Sequence, residues 1–164
     1  MNKKNKIIGV GGAGANIVKS MNPDKMGNMD FVIVNKAGEN CDVRLDDKEA
    51  LKTVIENFYT VFIVAGMGGK TGTLGSCEIA KIAKGMGVIT HAVVVLPFAF
   101  EGQKRMEAAQ KGILELKKHV GNELSIISAE DFVSSEPCMK SLPFSDLFFE
   151  INKKVQQRII GLLT

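Results

Sequence analysis

Short runs of β-branched and apolar residues alternate along this chain with longer segments of helical period, and that alternation restricts the fold more than any other feature. The expected strands are Lys6–Val10, Phe31–Asn35, a short Asp42–Leu45, Thr60–Ala65, Ile89–Leu96 and Leu124–Ser128. Between and after them the spacing predicts helices over Ala13–Met21, Asp47–Asn57, Thr73–Gly85, Gly102–His119 and Phe144–Leu163. "RLDDKEALK" begins one of these with an aspartate cap and an acidic first turn. Strands that alternate with helices pair in parallel through right-handed crossovers, so helices must cover both faces of the sheet. The predicted architecture is a three-layer α/β domain spanning residues 1–164 as one unit, with the loops after the strand C-termini lining one edge. A chain of 164 residues can bury such a core without disulfide or metal staples.

Both glycine-rich stretches fall on that edge. "GVGGAG", Gly9 to Gly14, follows the first strand and opens the first helix. Gly9, Gly11 and Gly14 have the spacing of a tight turn that brings bare backbone against a phosphate, at a helix N-terminus whose dipole favours the anion. "VAGMGGKTGT", Val64 to Thr73, follows the fourth strand, and its glycines let backbone N–H groups close around an anion where no side chain intervenes. "GGKT" invites comparison with a P-loop, but that motif requires glycine where Val64 stands. A dinucleotide enzyme would carry an acidic residue after the second strand, where this chain has Asn35 and Lys36. Lys36 could meet a 2′-phosphate, which keeps an NADP-binding Rossmann oxidoreductase as an alternative. Such an enzyme has no need of the second glycine loop, and no acid–base set accompanies the first.

Charge and hydropathy exclude other classes. The net charge of +3 comes from 21 basic and 18 acidic residues scattered along the chain, which leaves no basic footprint for nucleic acid. The longest apolar runs, "YTVFIVAG" and "HAVVVLPFAF", are far shorter than a membrane span, and "MNKKNKIIGV" lacks a signal-peptide core, so a soluble, cytoplasmic chain is expected. Cys41, Cys77 and Cys138 are widely spaced, and His91 and His119 are the sole histidines. Reduced, mostly buried thiols and no metal site are expected.

The two loops together resemble the tubulin and FtsZ superfamily, and bacterial FtsZ within it. "IIGVGGAGANIV" is similar to the family's first phosphate loop, and "FIVAGMGGKTGT" to its signature "GMGGGTGTG". "VVVLPFAFEGQKRMEAAQKGI" resembles the ribose loop and following helix, and Phe144–Leu163 the long central helix. The resemblance implies a Rossmann-like parallel sheet with helices on both faces and a bound GDP or GTP, with Mg²⁺ as a companion ion. It places Gly11, Gly12, Ala13 and Asn16 at the α- and β-phosphates, and a signature loop of Gly66, Gly68, Gly69, Lys70, Thr71, Gly72 and Thr73 beside them. Glu101 and Arg105 would face the sugar, and Phe144 falls where the family stacks an aromatic ring on guanine. On a helix, Glu101 and Arg105 would share a face one turn apart, as sugar ligands or as a surface ion pair worth about 0.3–0.5 kcal/mol. A homo-oligomer or an FtsZ-type partner is implied, and no catalytic residue is assigned.

Departures from the pattern temper the activity. Lys70 and Leu74 stand at glycine positions of the signature, and at Lys70 the sign of φ decides whether its ammonium serves phosphate or strains the loop. Ala37 replaces an acidic residue, and the γ-phosphate loop is absent between Leu45 and Asp47. Phe148 aligns with the carboxylate that reads guanine, and "SAED" with the family's "PND". The chain stops at Thr164, where the family continues into a second domain that supplies the water-activating loop. The expected function is therefore guanine-nucleotide binding with little or no hydrolysis alone, linked to cell-division filaments. The alternative is a degenerate interaction protein of the same fold without nucleotide. On the closing helix, Leu147, Phe148, Ile151, Val155, Ile159 and Leu162 should pack on the sheet, leaving Phe149, Ile160 and Leu163 as an uncovered strip for self-association or a partner.

Overall fold

The computed structural model describes residues 4–27, 29–136, 138 and 141–163. Six strands form one sheet: β1 (Asn5–Val10), β2 (Met29–Asn35), β3 (Val43–Arg44), β4 (Thr60–Gly66), β5 (Ile89–Leu96) and β6 (Leu124–Ser128). Their order is β3-β2-β1-β4-β5-β6 with every pair parallel, and β1 and β4 pair from Asn5 with Thr60 to Val10 with Ala65. Helices α1 (Gly11–Lys19), α2 (Lys48–Ile55), α3 (Lys70–Gly85), α4 (Gln103–Val120), α5 (Ala129–Ser135) and α6 (Phe144–Leu163) cover it.

Side chains alternate across the pleat, so neighbouring residues feed opposite layers. Ile8, Ile63 and Val94 pack with Leu51 and Ile55 of α2, Ile79 of α3 and Leu116 of α4. Ile7, Val64 and Val93 pack on the other face with Ile17 and Val18 of α1 and Val155 and Ile159 of α6. The central strand β4 is buried on both sides from Thr60 to Ala65, which is why it reads as an unbroken apolar run.

The α/β architecture with helices on both faces is as expected from the alternation. Differences are local. Helices α1 and α3 begin at Gly11 and Lys70, ahead of the expected Ala13 and Thr73, because β1 passes straight into α1 and only the bend Met67–Gly69 separates β4 from α3. Helix α5 was not anticipated, although Ser128 caps it by accepting from the Asp131 N–H at 3.2 Å and Glu130 and Asp131 fill its first turn. On α6, Leu147, Ile151, Val155 and Ile159 are buried as expected, but Phe148 is not. Ile160 packs partly against the core of α1 and α6, so the uncovered strip is narrower than its spacing suggested. All three cysteines are free, with Cys41 and Cys77 half-buried and Cys138 exposed, so the expectation of mostly buried thiols does not hold. Burial pushes the Cys77 thiol pKa up, and its S–H lies 3.5 Å from the Gly112 carbonyl, between α3 and α4.

Ile63 is fully buried at the centre of β4, so Ile63→Ala should cost about 2–5 kcal/mol in urea unfolding. Leu114→Ala, on the exposed side of α4, should stay within about 0.5 kcal/mol of the parent. Equal effects at the two positions would contradict this packing.

Candidate functional site

Strands β1 and β4 are neighbours, yet α1 leaves over one face of the sheet and α3 over the other. A crevice must open between the two departures, at the carboxyl ends of the strands. The two glycine turns meet there at backbone distance. Gly11 has φ +74°, and a Cβ on it would lie 3.1 Å from the Gly72 nitrogen. A Cβ on Gly72 would overlap the Gly66 carbonyl oxygen. Neither contact survives a side chain.

The Gly68 N–H donates to Thr73 Oγ1 at 2.8 Å, which ties the second loop to the first turn of α3. No side chain caps α1 at Val10 or α3 at Gly69, in contrast to α2, where Asp47 accepts from the Ala50 N–H at 3.1 Å. Two helix N-termini therefore present unsatisfied backbone donors and the positive ends of their dipoles to one crevice. Lys70 is the first residue of α3, and Asn57 is the one non-glycine residue with positive φ among those described. Lysine thus sits at this glycine position without backbone strain. Leu74 is likewise helical and points to solvent.

The crevice encloses a cavity of about 660 Å³. Of the expected residues, its wall includes Gly11, Gly12, Ala13 and Asn16 on one side and Gly66, Gly69, Lys70, Thr71 and Gly72 on the other. Glu101 and Arg105 line it as well. Gly68 and Thr73 lie behind the wall and brace it. Phe144 is outside the wall, 60% exposed, its ring tilted against Phe100 at 5.2 Å. Phe148, one helical turn further along α6, faces the cavity instead and meets Phe98 edge-on at 5.9 Å.

Glu101 and Arg105 do not share a helix as expected. Glu101 closes a 3-10 turn, Ala99–Glu101, and Gly102 at φ +110° separates it from α4. They still approach, with Arg105 Nε 3.8 Å from Glu101 Oε1, while Glu101 Oε2 accepts the Phe98 N–H at 2.7 Å. Glu39 and Asn152 are not among the expected site residues, Ile151 is expected only in the buried stripe of α6 and Lys36 only at a 2′-phosphate; all four line the cavity. The i, i+4 spacing of Phe148 and Asn152 was the available signal for the α6 wall. Lys36, Lys70 and Arg105 outnumber Glu39 and Glu101 on the wall, which favours an anion.

A doubly wound parallel sheet with two uncapped helix N-termini at its switch point is a nucleotide-type α/β domain. Residues 35–128, more than half of the chain, match the model of the Tubulin/FtsZ family, GTPase domain, and the chain belongs to that family. It is 37% identical over 186 aligned positions to cell division protein FtsZ of Buchnera aphidicola subsp. Acyrthosiphon pisum, covering 96% of this chain and 48% of the relative. It is 36% identical over 150 positions to cell division protein FtsZ of Azotobacter vinelandii, covering 74% and 38%. The solved "FtsZ dimer, empty" of M. jannaschii superposes with a TM-score of 0.85 at 26% identity, over 99% of this chain and 55% of that one. CetZ from Methanosaeta thermophila shares the fold, with a TM-score of 0.71 at 16% identity over 97% of this chain and 53% of that one. The chain thus spans about half the length or less of the curated relatives it matches. Among the described residues no helix is long and apolar enough to cross a membrane.

The interlock of the two turns is testable by a pair of glycine substitutions. Gly72→Ala forces a Cβ into the Gly66 carbonyl and should cost about 1–3 kcal/mol in thermal or urea unfolding. Gly12→Ala meets nothing within 4 Å and should be neutral or stabilising by up to about 1 kcal/mol.

Proposed function

We propose that the chain binds a guanine nucleotide, GDP or GTP, with its phosphates between the turn Gly11–Ala13 and the turn Gly69–Gly72. The observation that carries this reading is the pair of uncapped helix N-termini sharing one cavity. Backbone N–H groups of both turns would surround the phosphate oxygens, and Lys70 would add a compact charge at the opening turn of α3. Arg105 and Glu101 supply a donor and an acceptor near the sugar. The family match favours this reading over a nicotinamide cofactor. Mg²⁺ accompanying a triphosphate would be held chiefly by phosphate oxygens and water, because the described residues contain no cluster of three or more His, Cys, Asp or Glu side chains. Association with a second copy, or with an FtsZ-type chain in cell-division filaments, belongs to the same proposal.

Calorimetric titration tests it directly. GDP and GTP should both bind, and Lys70→Glu should weaken each by roughly tenfold to a hundredfold, the range expected for loss of a charge-assisted contact. Absence of binding by either nucleotide would turn the reading to an interaction domain that has kept the fold and lost the ligand.

Hydrolysis by this chain alone should be negligible. Of the two carboxylates on the wall, Glu101 is committed to Phe98 and Arg105, and Glu39 sits in an exposed turn after β2. Neither is held where it would position water, and positioning with charge stabilisation supplies most of phosphoryl-transfer catalysis. Phosphate release from GTP should remain at background across a protein concentration series. A rate rising steeply with concentration would show that contact between copies completes the site.

A further inference from the structure

The turn that follows β5 is fastened by two carboxylates from different places in the chain. It runs from Phe98 to Gly102, closed by the Glu101 N–H donating to the Phe98 carbonyl at 3.0 Å and the Gly102 N–H to that of Ala99 at 3.2 Å. A helical turn of this kind leaves the N–H groups at its start without partners inside it. Here Glu101 Oε2 accepts from the Phe98 N–H at 2.7 Å, and Glu130 Oε1 accepts from the Ala99 N–H, also at 2.7 Å. Both bonds are short and charge-assisted, the stronger kind. The first arises within the turn, but the second comes from 31 residues away, in the opening turn of α5.

Glu130 stands on a firm base. Ser128 caps α5, and Ala129 is buried in a cluster with Phe98, Leu147 and Ile151. Ala129 reaches the cavity wall and Glu130 does not, so the Glu130 carboxylate holds the turn from behind. The turn in turn carries Glu101 into the wall. Buried Phe98 anchors the turn at one point, while Gly102, at φ +110°, is a permissive joint to α4. The bond from Ala99 to Glu130 adds a second point of attachment, which fixes how the turn is rotated about Phe98. That rotation decides where Glu101 points. Glu101 Oε1 lies 3.8 Å from Arg105 Nε, longer than a hydrogen bond, and so has capacity for a donor such as a sugar hydroxyl.

We propose that Glu130 is a positioning residue for the sugar of a bound nucleotide: from outside the cavity it holds the turn Ala99–Glu101 at the rotation in which Glu101 accepts from a ribose hydroxyl. The inference rests on the nucleotide reading above, and the two can fail separately. Calorimetric titration of the whole chain with GDP and with 2′,3′-dideoxy-GDP tests it, because the second ligand lacks both hydroxyls that could donate to Glu101. The parent should prefer GDP by about tenfold, as expected for a hydrogen bond to a charged group. Glu130→Ala should bring the two affinities within about twofold of each other, and Glu130→Lys, which sets a donor against the Ala99 N–H, should do the same. Glu130→Gln keeps a carbonyl acceptor and should stay within about twofold of the parent's preference. Amide exchange at Ala99 should quicken in the alanine and lysine variants and not in the glutamine variant. A merely structural role would weaken both ligands in parallel and leave their ratio unchanged. A parental ratio in both the alanine and lysine variants, or a glutamine variant as unselective as they are, overturns the assignment of Glu130 and leaves the nucleotide site standing. A parent that binds both ligands equally overturns it as well, by removing the sugar contact that Glu130 serves. If the parent binds neither ligand, the nucleotide reading falls and this inference with it.

Discussion

The close approach of two backbone turns, Gly11 against Gly72 and Gly72 against the Gly66 carbonyl, is the contact on which the rest of the site depends. Side chains at these positions would wedge apart the ends of β1 and β4. The helices that follow could then no longer aim their N-termini at one cavity. Strand order reinforces the same geometry, since β1 and β4 are the pair whose helices depart to opposite faces. Within the crevice, glycine serves a steric purpose first, and the anion-ready backbone follows from it.

The second turn is braced from behind as well as from the side. Thr73 accepts the Gly68 N–H, and its methyl group lies where a Cβ on Gly112 would be, so α4 packs directly against the residue that ties the loop. The first turn of α4 adds a further support, for the Arg105 carbonyl stands 2.9 Å from where Gly68 would carry a Cβ. Loop, α3 and α4 thus pack as one unit on one face. Helices α1 and α6 form the opposite wall, and the cavity is the seam between two layers held by separate cores.

Much of this was legible in the sequence because its signals were local. β-branched runs bounded by glycine or polar residues marked the strands, and the spacing of Gly9, Gly11 and Gly14 marked the first turn. What escaped depended on tertiary distances or on short elements. Helix α5 is too brief for a hydrophobic period, although Ser128 and its acidic neighbours signalled a start. Phe144 and Phe148 lie one turn apart on the same side of α6, and periodicity alone cannot say which turn sits level with the cavity. Gly102 breaks the helix between Glu101 and Arg105 through a positive φ that composition does not announce. Asn152 carries no motif, and its i, i+4 spacing from Phe148 becomes informative only once α6 is placed across the sheet.

The pairing of β1 with β4 also has a kinetic side. Asn5 meets Thr60 across the whole first third of the chain, and apart from the short β2–β3 pairing the sheet contacts join segments distant in sequence. Topologies of this kind fold slowly, because loop closure must be achieved before the contacts that reward it. The crevice is made of both turns at once, so it cannot exist in a chain whose two strands have not docked. Any ligand that fits it binds the completed sheet and not its precursors, and stabilises the native state by mass action. The abundance of such a ligand in the surroundings would then set how much of the protein survives proteolysis as well as how much is occupied.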